Sequence, residues 1–144
     1  KHIGFVFQFF NLIPTLTVIE NLLLPLELNR KQLDTTEYKE ALAMLEAVGL
    51  AKRENSFPDR LSGGEQQRVA IARALIHSPD IILADEPTGN LDKEIGQQII
   101  QLLNKLIKNQ NKTMIMATHS SEITNIADRV LTVQKGKLNE ISLS

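Results

Sequence analysis

The stretch Leu61-Ser62-Gly63-Gly64-Glu65-Gln66-Gln67-Arg68, running on through Leu75 and into Ile81-Ile82-Leu83-Ala84-Asp85-Glu86, constrains this chain more than any other. Ser62 and Glu65 have the S-x-x-E spacing of a capping box, in which each side chain satisfies an otherwise orphaned N–H at a helix start. Gly63 and Gly64 keep the first turn free of side chains, so a phosphate can approach its N–H groups. Good helix formers carry this helix to Ser78-Pro79, where proline is expected to stop it. Ile81 to Ala84 is apolar without alternation, which predicts a parallel strand covered on both faces. Ligands of such sheets bind beyond the carboxyl ends of the strands, and Asp85 and Glu86 fall there. The two parts read as a helix that holds an anion at its tip and a strand that delivers two carboxylates to the same place.

The rest of the chain supports a single globular domain. Its 144 residues suffice for one core, and 42% hydrophobic with 23% charged residues is ordinary for a soluble protein. Sixteen basic against 17 acidic residues leave a net charge of −1, so there is no basic footprint for nucleic acid. The absence of cysteine excludes disulfides and thiolate metal sites. No apolar run approaches the ~20 residues that span a bilayer. Lys1-His2-Ile3-Gly4 has no signal-peptide pattern. Lacking an initiator methionine, the chain is expected to start inside a longer protein or to be a processed product.

Ile3 to Phe7 predicts a strand ending at Gln8. After the loop Asn11–Leu16, Thr17 and Glu20 form a second capping box, opening a helix through Val18, Ile19, Leu22, Leu23 and Leu26. Pro25 is expected to kink or end it. Its broad apolar side serves a core or, in part, a docking surface. Asp34 and Glu37 open another helix, with Tyr38, Ala41, Leu42, Leu45 and Val48 on one face and Gly49 as its left-handed end. Residues 52–60 are polar, contain Pro58, and read as a loop. Beyond Glu86, Pro87-Thr88-Gly89 is a turn, and Asp92 has the position of a helix N-cap. Ile95, Ile99, Leu102, Leu103 and Leu106 mark one face of the helix that follows. Thr113 to Ala117 predicts a buried strand with Thr118-His119 at its carboxyl end. Residues 121–127 predict a short helix. Two strands, Val130–Val133 and Leu138–Ile141, meet at the turn Lys135-Gly136. Arg68 and Arg73 are expected to form surface ion pairs rather than to bind phosphate.

Read together, these motifs resemble the ATP-binding-cassette (ABC) ATPases. Leu61-Ser62-Gly63-Gly64-Glu65 is similar to the family's signature, and Ile81 to Glu86 to its Walker B strand with a catalytic glutamate. The run Ala84-Asp85-Glu86-Pro87-Thr88-Gly89-Asn90-Leu91-Asp92 most resembles the ATPase subunits of lipoprotein-release and macrolide-efflux transporters. The resemblance implies an α/β fold, a partial P-loop NTPase whose mostly parallel sheet is flanked by helices and carries a helical subdomain. Residues 1–10 would hold a core strand and the Q-loop, residues 11–78 the helical subdomain and signature helix, and residues 79–144 the remainder of the core. It implies ATP and Mg²⁺ as ligands. Asp85 and Gln8 would hold the metal, Glu86 would handle the attacking water, and His119 would reach the γ-phosphate. Ser62, Gly63, Gly64 and Glu65 would contact nucleotide held by a second ATPase subunit in a head-to-tail dimer. Asp92 in the D-loop would cross to that subunit. A transmembrane permease would be the other partner, placing the protein at the cytoplasmic face of the cell membrane and coupling ATP-driven dimerisation to export.

One family element is missing from the sequence. None of the seven glycines lies in a G-x-x-x-x-G-K-[ST] pattern. In the family that loop precedes the Q-loop, so a C-terminal fragment that hydrolyses no ATP by itself is the expectation. Two other readings compete. ABC ATPases of DNA repair and chromosome structure separate the Q-loop and signature by a long coiled coil, whereas here Leu61 stands only 53 positions after Gln8. A non-catalytic module that completes a partner's site in trans would also lack the phosphate loop.

Overall fold

Three short strands, β1 (Ile3–Phe7), β2 (Ile81–Asp85) and β3 (Thr113–Ala117), form a parallel sheet in the order β1-β2-β3. In this computed structural model the described residues are 2–28, 33–109, 111–120, 123 and 126–141. Ile3 pairs with Ile81 and Ile81 with Thr113, so the strands end flush at Phe7, Asp85 and Ala117. Parallel strands need crossover connections. The first crossover carries α1 (Val18–Glu27), α2 (Thr35–Ala47) and α3 (Gly63–Leu75), and the second is α4 (Lys93–Asn109). A hairpin of β4 (Val130–Gln134) and β5 (Lys137–Ile141) follows, closed by Lys135 and Gly136 at φ 48° and 74°. Positive φ at both central residues suits the twist of a two-residue hairpin loop.

The two expected capping boxes are present, at Thr17/Glu20 and Ser62/Glu65, and Asp34 and Glu37, expected to open α2, form a third. Gly49 follows α2 at φ 76°. Pro25 does not end α1, which continues to Glu27. α3 stops at Leu75, short of the expected Ser78-Pro79, and Ser78 itself takes a left-handed φ of 48°. The residue before proline disfavours helical backbone, so the turn is made before the ring is reached. Two single turns of 3₁₀-helix, Ala51–Arg53 and Pro58–Arg60, lie in the region read as loop.

The core lies between the sheet and the helices. Leu22, Leu45, Ile71, Leu75, Ile82, Ile99 and Leu103 are all fully buried, and each such side chain contributes about 1.5–3 kcal/mol of hydrophobic stabilisation. α3 lies so close to β1 that a Cβ on Gly4 would overlap the Ala74 carbonyl oxygen. Only glycine permits that approach.

Burial of the strands differs from the expectation. Val6, Ile82 and Ala84 are buried on the helix-covered face, whereas Phe5, Phe7 and Ile115 on the opposite face are 49%, 40% and 60% exposed. Thr113–Ala117 alternates exposed and half-buried residues rather than being buried throughout. The physical reason is that among the described residues no element packs on that second face; Phe5 and Phe7 stack on each other there, with ring centroids 5.8 Å apart. Most of the apolar side of α1 serves the core, while Leu26 is half-buried and Leu28 just beyond the helix is exposed. Val18, Ile19, Leu22 and Leu23 are buried because α1 packs against both α2 and α3, which explains its wide apolar side. The helix expected over residues 121–127 lies mostly outside the described residues.

Candidate active site

The site is built where the sheet ends. Because Phe7 pairs with Asp85 and Asp85 with Ala117, the next residues, Gln8, Glu86 and Thr118, leave three neighbouring strands at one edge. Glu86 turns away from β2 with a left-handed φ of 44°, while its N–H donates to the Ala117 carbonyl at 2.9 Å. A non-glycine residue in that conformation is uncommon and clusters at functional sites. The turn brings its carboxylate to β3: Thr118 Oγ1 donates to Glu86 Oε2 at 3.3 Å, and His119 Nε2 lies 3.3 Å from Glu86 Oε1. The Glu86 side chain is 21% exposed and that of His119 is 99% exposed, so the pair sits at the lip of the sheet.

Gln8 is tied to the loop beyond Glu86 rather than to Glu86. Its Nε2 donates to Asn90 Oδ1 at 3.2 Å, and Asn90 Nδ2 donates to the Gln8 carbonyl at 3.0 Å. Asp92 caps α4 by accepting from the Ile95 N–H at 3.0 Å. The signature residues stand apart at the tip of α3. Ser62 Oγ accepts from the Glu65 N–H, and Glu65 Oε2 accepts from the Ser62 N–H at 2.8 Å. These backbone and hydroxyl contacts, with Arg53 Nε 3.1 Å from Oε1, hold the Glu65 carboxyl below its usual range. Among the described residues the Gly63 and Gly64 N–H groups have no hydrogen-bond acceptor. The space above these glycines, expected to be bare, is not wholly so. A Cβ on Gly64 would lie 2.7 Å from Ile95, and one on Gly63 3.3 Å from Leu91. Their missing side chains also let the tip of α3 pack on the start of α4. No hydrogen bond among the described residues joins Ser62–Glu65 to Glu86 or His119.

Two residues of α3 organise the site in ways the sequence reading did not assign. Gln67 is fully buried, and its Nε2 donates to the carbonyls of Pro87 at 2.6 Å and Phe7 at 3.3 Å, clasping the ends of β1 and β2. The signal was its position on the buried stripe with Ala70, Ile71 and Ala74. Arg73 donates to the carbonyls of Asn11 at 2.7 Å and Phe10 at 3.0 Å, fixing the segment after Gln8. Burial lowers its pKa. Arg68 donates to the Val48 carbonyl and to Gln98. Among the described residues neither arginine makes the expected ion pair; their partners are backbone and amide oxygens.

The donors suit Mg²⁺. Asp85 offers a carboxylate and Gln8 an amide oxygen, the hard ligands that ion takes. Among the described residues no group of three or more His, Cys, Asp or Glu gathers to hold a metal unaided. That sparse set fits an ion that keeps water and phosphate oxygens in its shell. The arrangement offers two adjacent carboxylates at the strand ends and, apart from them, a helix tip with unpaired N–H groups, which are groups of the kind that phosphoryl transfer uses.

The comparisons agree. The family model for ABC transporters matches residues 1–89. The chain is 56% identical over 139 residues to the ABC transporter ATP-binding protein Rv0986 of Mycobacterium tuberculosis, covering 94% of this chain and 54% of that protein. It is 44% identical over 136 residues to the lipoprotein-releasing system ATP-binding protein LolD of Cytophaga hutchinsonii, covering 94% of this chain and 62% of that one. The ATP-binding cassette MJ0796, solved as a dimer in a post-hydrolysis state with ADP and Pi, superposes with a TM-score of 0.81 at 42% identity, covering 100% of this chain and 65% of that one. The chain belongs to the ABC transporter ATP-binding family. It spans about half to two thirds of the length of these relatives.

Proposed function

We propose that this chain forms the part of an ABC-transporter ATPase subunit from Q-loop to switch histidine, and that the complete subunit hydrolyses ATP at sites shared by two copies. The observation that carries this reading is the convergence at the flush strand ends, where Glu86 is held by Thr118 and His119 beside Asp85. In this reading Asp85 and the Gln8 amide oxygen hold Mg²⁺. When bound, that ion offsets charge on the β- and γ-phosphates. Glu86 orients the attacking water and takes its proton. His119 steadies Glu86 and faces the γ-phosphate. The Gly63 and Gly64 N–H groups, with the Ser62 hydroxyl, receive the γ-phosphate bound to the other copy, and the Glu65 carboxylate serves that contact by capping the helix tip. Asp92 and its D-loop line the contact between copies. The dimeric state of the cassette MJ0796 supports a second ATPase subunit as partner.

The further partner in this reading is a transmembrane permease, which places the protein at the cytoplasmic face of the membrane and couples ATP-driven closure to export. The transporter relatives support it, and among the described residues no helix is long and apolar enough to cross a membrane. Residues 11–78 act as the helical subdomain toward that permease, and residues 1–10 and 79–144 as the catalytic core.

The test is turnover by the complete subunit. Glu86→Gln keeps shape and hydrogen bonding but removes the base, so the ATPase rate falls by about 10²–10⁴-fold while ATP binding survives. Near-normal turnover removes Glu86 from this role.

A further inference from the structure

Gln8 leaves β1 at the site, and the loop after β2 receives its side chain. A Cβ on Gly89 would lie 2.8 Å from Gln8 Nε2 and 3.0 Å from Gln8 Cδ, so the glycine is what lets the amide lie on that loop. Asn90 then makes a reciprocal pair with Gln8, at 3.0 Å to its carbonyl and 3.2 Å from its Nε2. The chemistry fixes which way both amides face. A backbone carbonyl only accepts, so the Asn90 atom against it must be the nitrogen. The other Asn90 atom, Oδ1, also only accepts, so the Gln8 atom against it must be Nε2. What remains of the Gln8 amide is its oxygen, and among the described residues Oε1 has no hydrogen-bond partner. Without such an anchor, the two ends of an amide are nearly interchangeable in shape.

We propose that Gly89 and Asn90 are positioning residues that lock the Gln8 carboxamide with its oxygen, not its nitrogen, free for Mg²⁺. The inference rests on the metal role given to Gln8 above. It assigns the loop between Glu86 and Asp92 a task inside its own subunit, separate from contact between copies. Asn90→Ala frees the amide to turn its NH₂ outward, a group that repels a cation. Gly89→Ala pushes the flexible end of Gln8 off the loop without touching the core.

The experiment is calorimetric titration of ATP into the complete subunit on the Glu86→Gln background, where turnover does not intrude. Each protein is measured with EDTA and with Mg²⁺, and the ratio of the two affinities is the readout. Gln8→Ala should lower that ratio. Asn90→Ala and Gly89→Ala should each lower it by about three- to tenfold, the scale of one lost hydrogen bond, and leave metal-free affinity unchanged. On the Gln8→Ala background both should have no further effect, because they act through Gln8. An unchanged ratio in Asn90→Ala, or the same loss with Gln8 already absent, overturns the proposal and leaves the metal role of Gln8 standing. An unchanged ratio in Gln8→Ala overturns that role, and the positioning proposal with it.

Discussion

Arg73 shows how one side chain can serve a site it never enters. It reaches from the middle of α3 to the carbonyls of Phe10 and Asn11, just after Gln8, while Asn11 is held at a left-handed φ of 51°. The planar guanidinium offers a separate nitrogen to each acceptor in a fixed fork, whereas an ammonium must serve both from one nitrogen on a flexible stem. Arg73→Gln should lower unfolding free energy by about 1–3 kcal/mol, measured by denaturant titration, with Arg73→Lys recovering only part. Equal stability of all three proteins would show that the clasp contributes nothing. The expectation of an ion pair was wrong for a physical reason. The partners are backbone oxygens 62 and 63 residues away, and side-chain charge says nothing about carbonyls. The catalytic candidates were easier to read. Asp85, Glu86 and His119 stand where strand ends put them, because the end of a parallel strand is visible in the sequence.

Helix beginnings were legible at the scale of elements. Thr17/Glu20, Asp34/Glu37 and Ser62/Glu65 carry their instructions in residues three apart, and all three boxes formed. Helix endings and strand faces were less legible. α3 stops at Leu75 because the turn before Pro79 is made several residues ahead of the ring, and β3 is half exposed because what covers a strand depends on what packs alongside. The Ser62/Glu65 box allows a pH test. Glu65 sits below its ordinary value of 4.5, first because the Ser62 N–H hydrogen-bonds its charged form. A lowered carboxyl pKa contributes stability that is present above the unfolded value and lost as pH falls through the folded one. Glu65→Ala should therefore lower the melting temperature at pH 7, by the equivalent of about 0.5–2 kcal/mol for a lost cap. The gap to wild type should shrink as pH falls below 4.5, the ordinary carboxyl value. A gap that stays constant down to pH 3 would locate the effect elsewhere.

For the whole molecule, the arrangement separates two chemistries that phosphoryl transfer needs together. Glu86 and His119 occupy the strand ends, while the Gly63 and Gly64 N–H groups, which among the described residues have no acceptor, lie at the tip of α3 with no hydrogen bond among the described residues between the two groups. In the proposed function a second copy brings its helix tip to these strand ends. Size-exclusion chromatography of the complete Glu86→Gln subunit tests this most directly. With Mg-ATP it should elute as a dimer, and without nucleotide as a monomer. Adding Ser62→Arg should return it to a monomer while ATP binding, measured by calorimetry on the same protein, is retained. A Glu86→Gln protein that stays monomeric in saturating Mg-ATP, or a dimer that survives Ser62→Arg, would contradict the shared site.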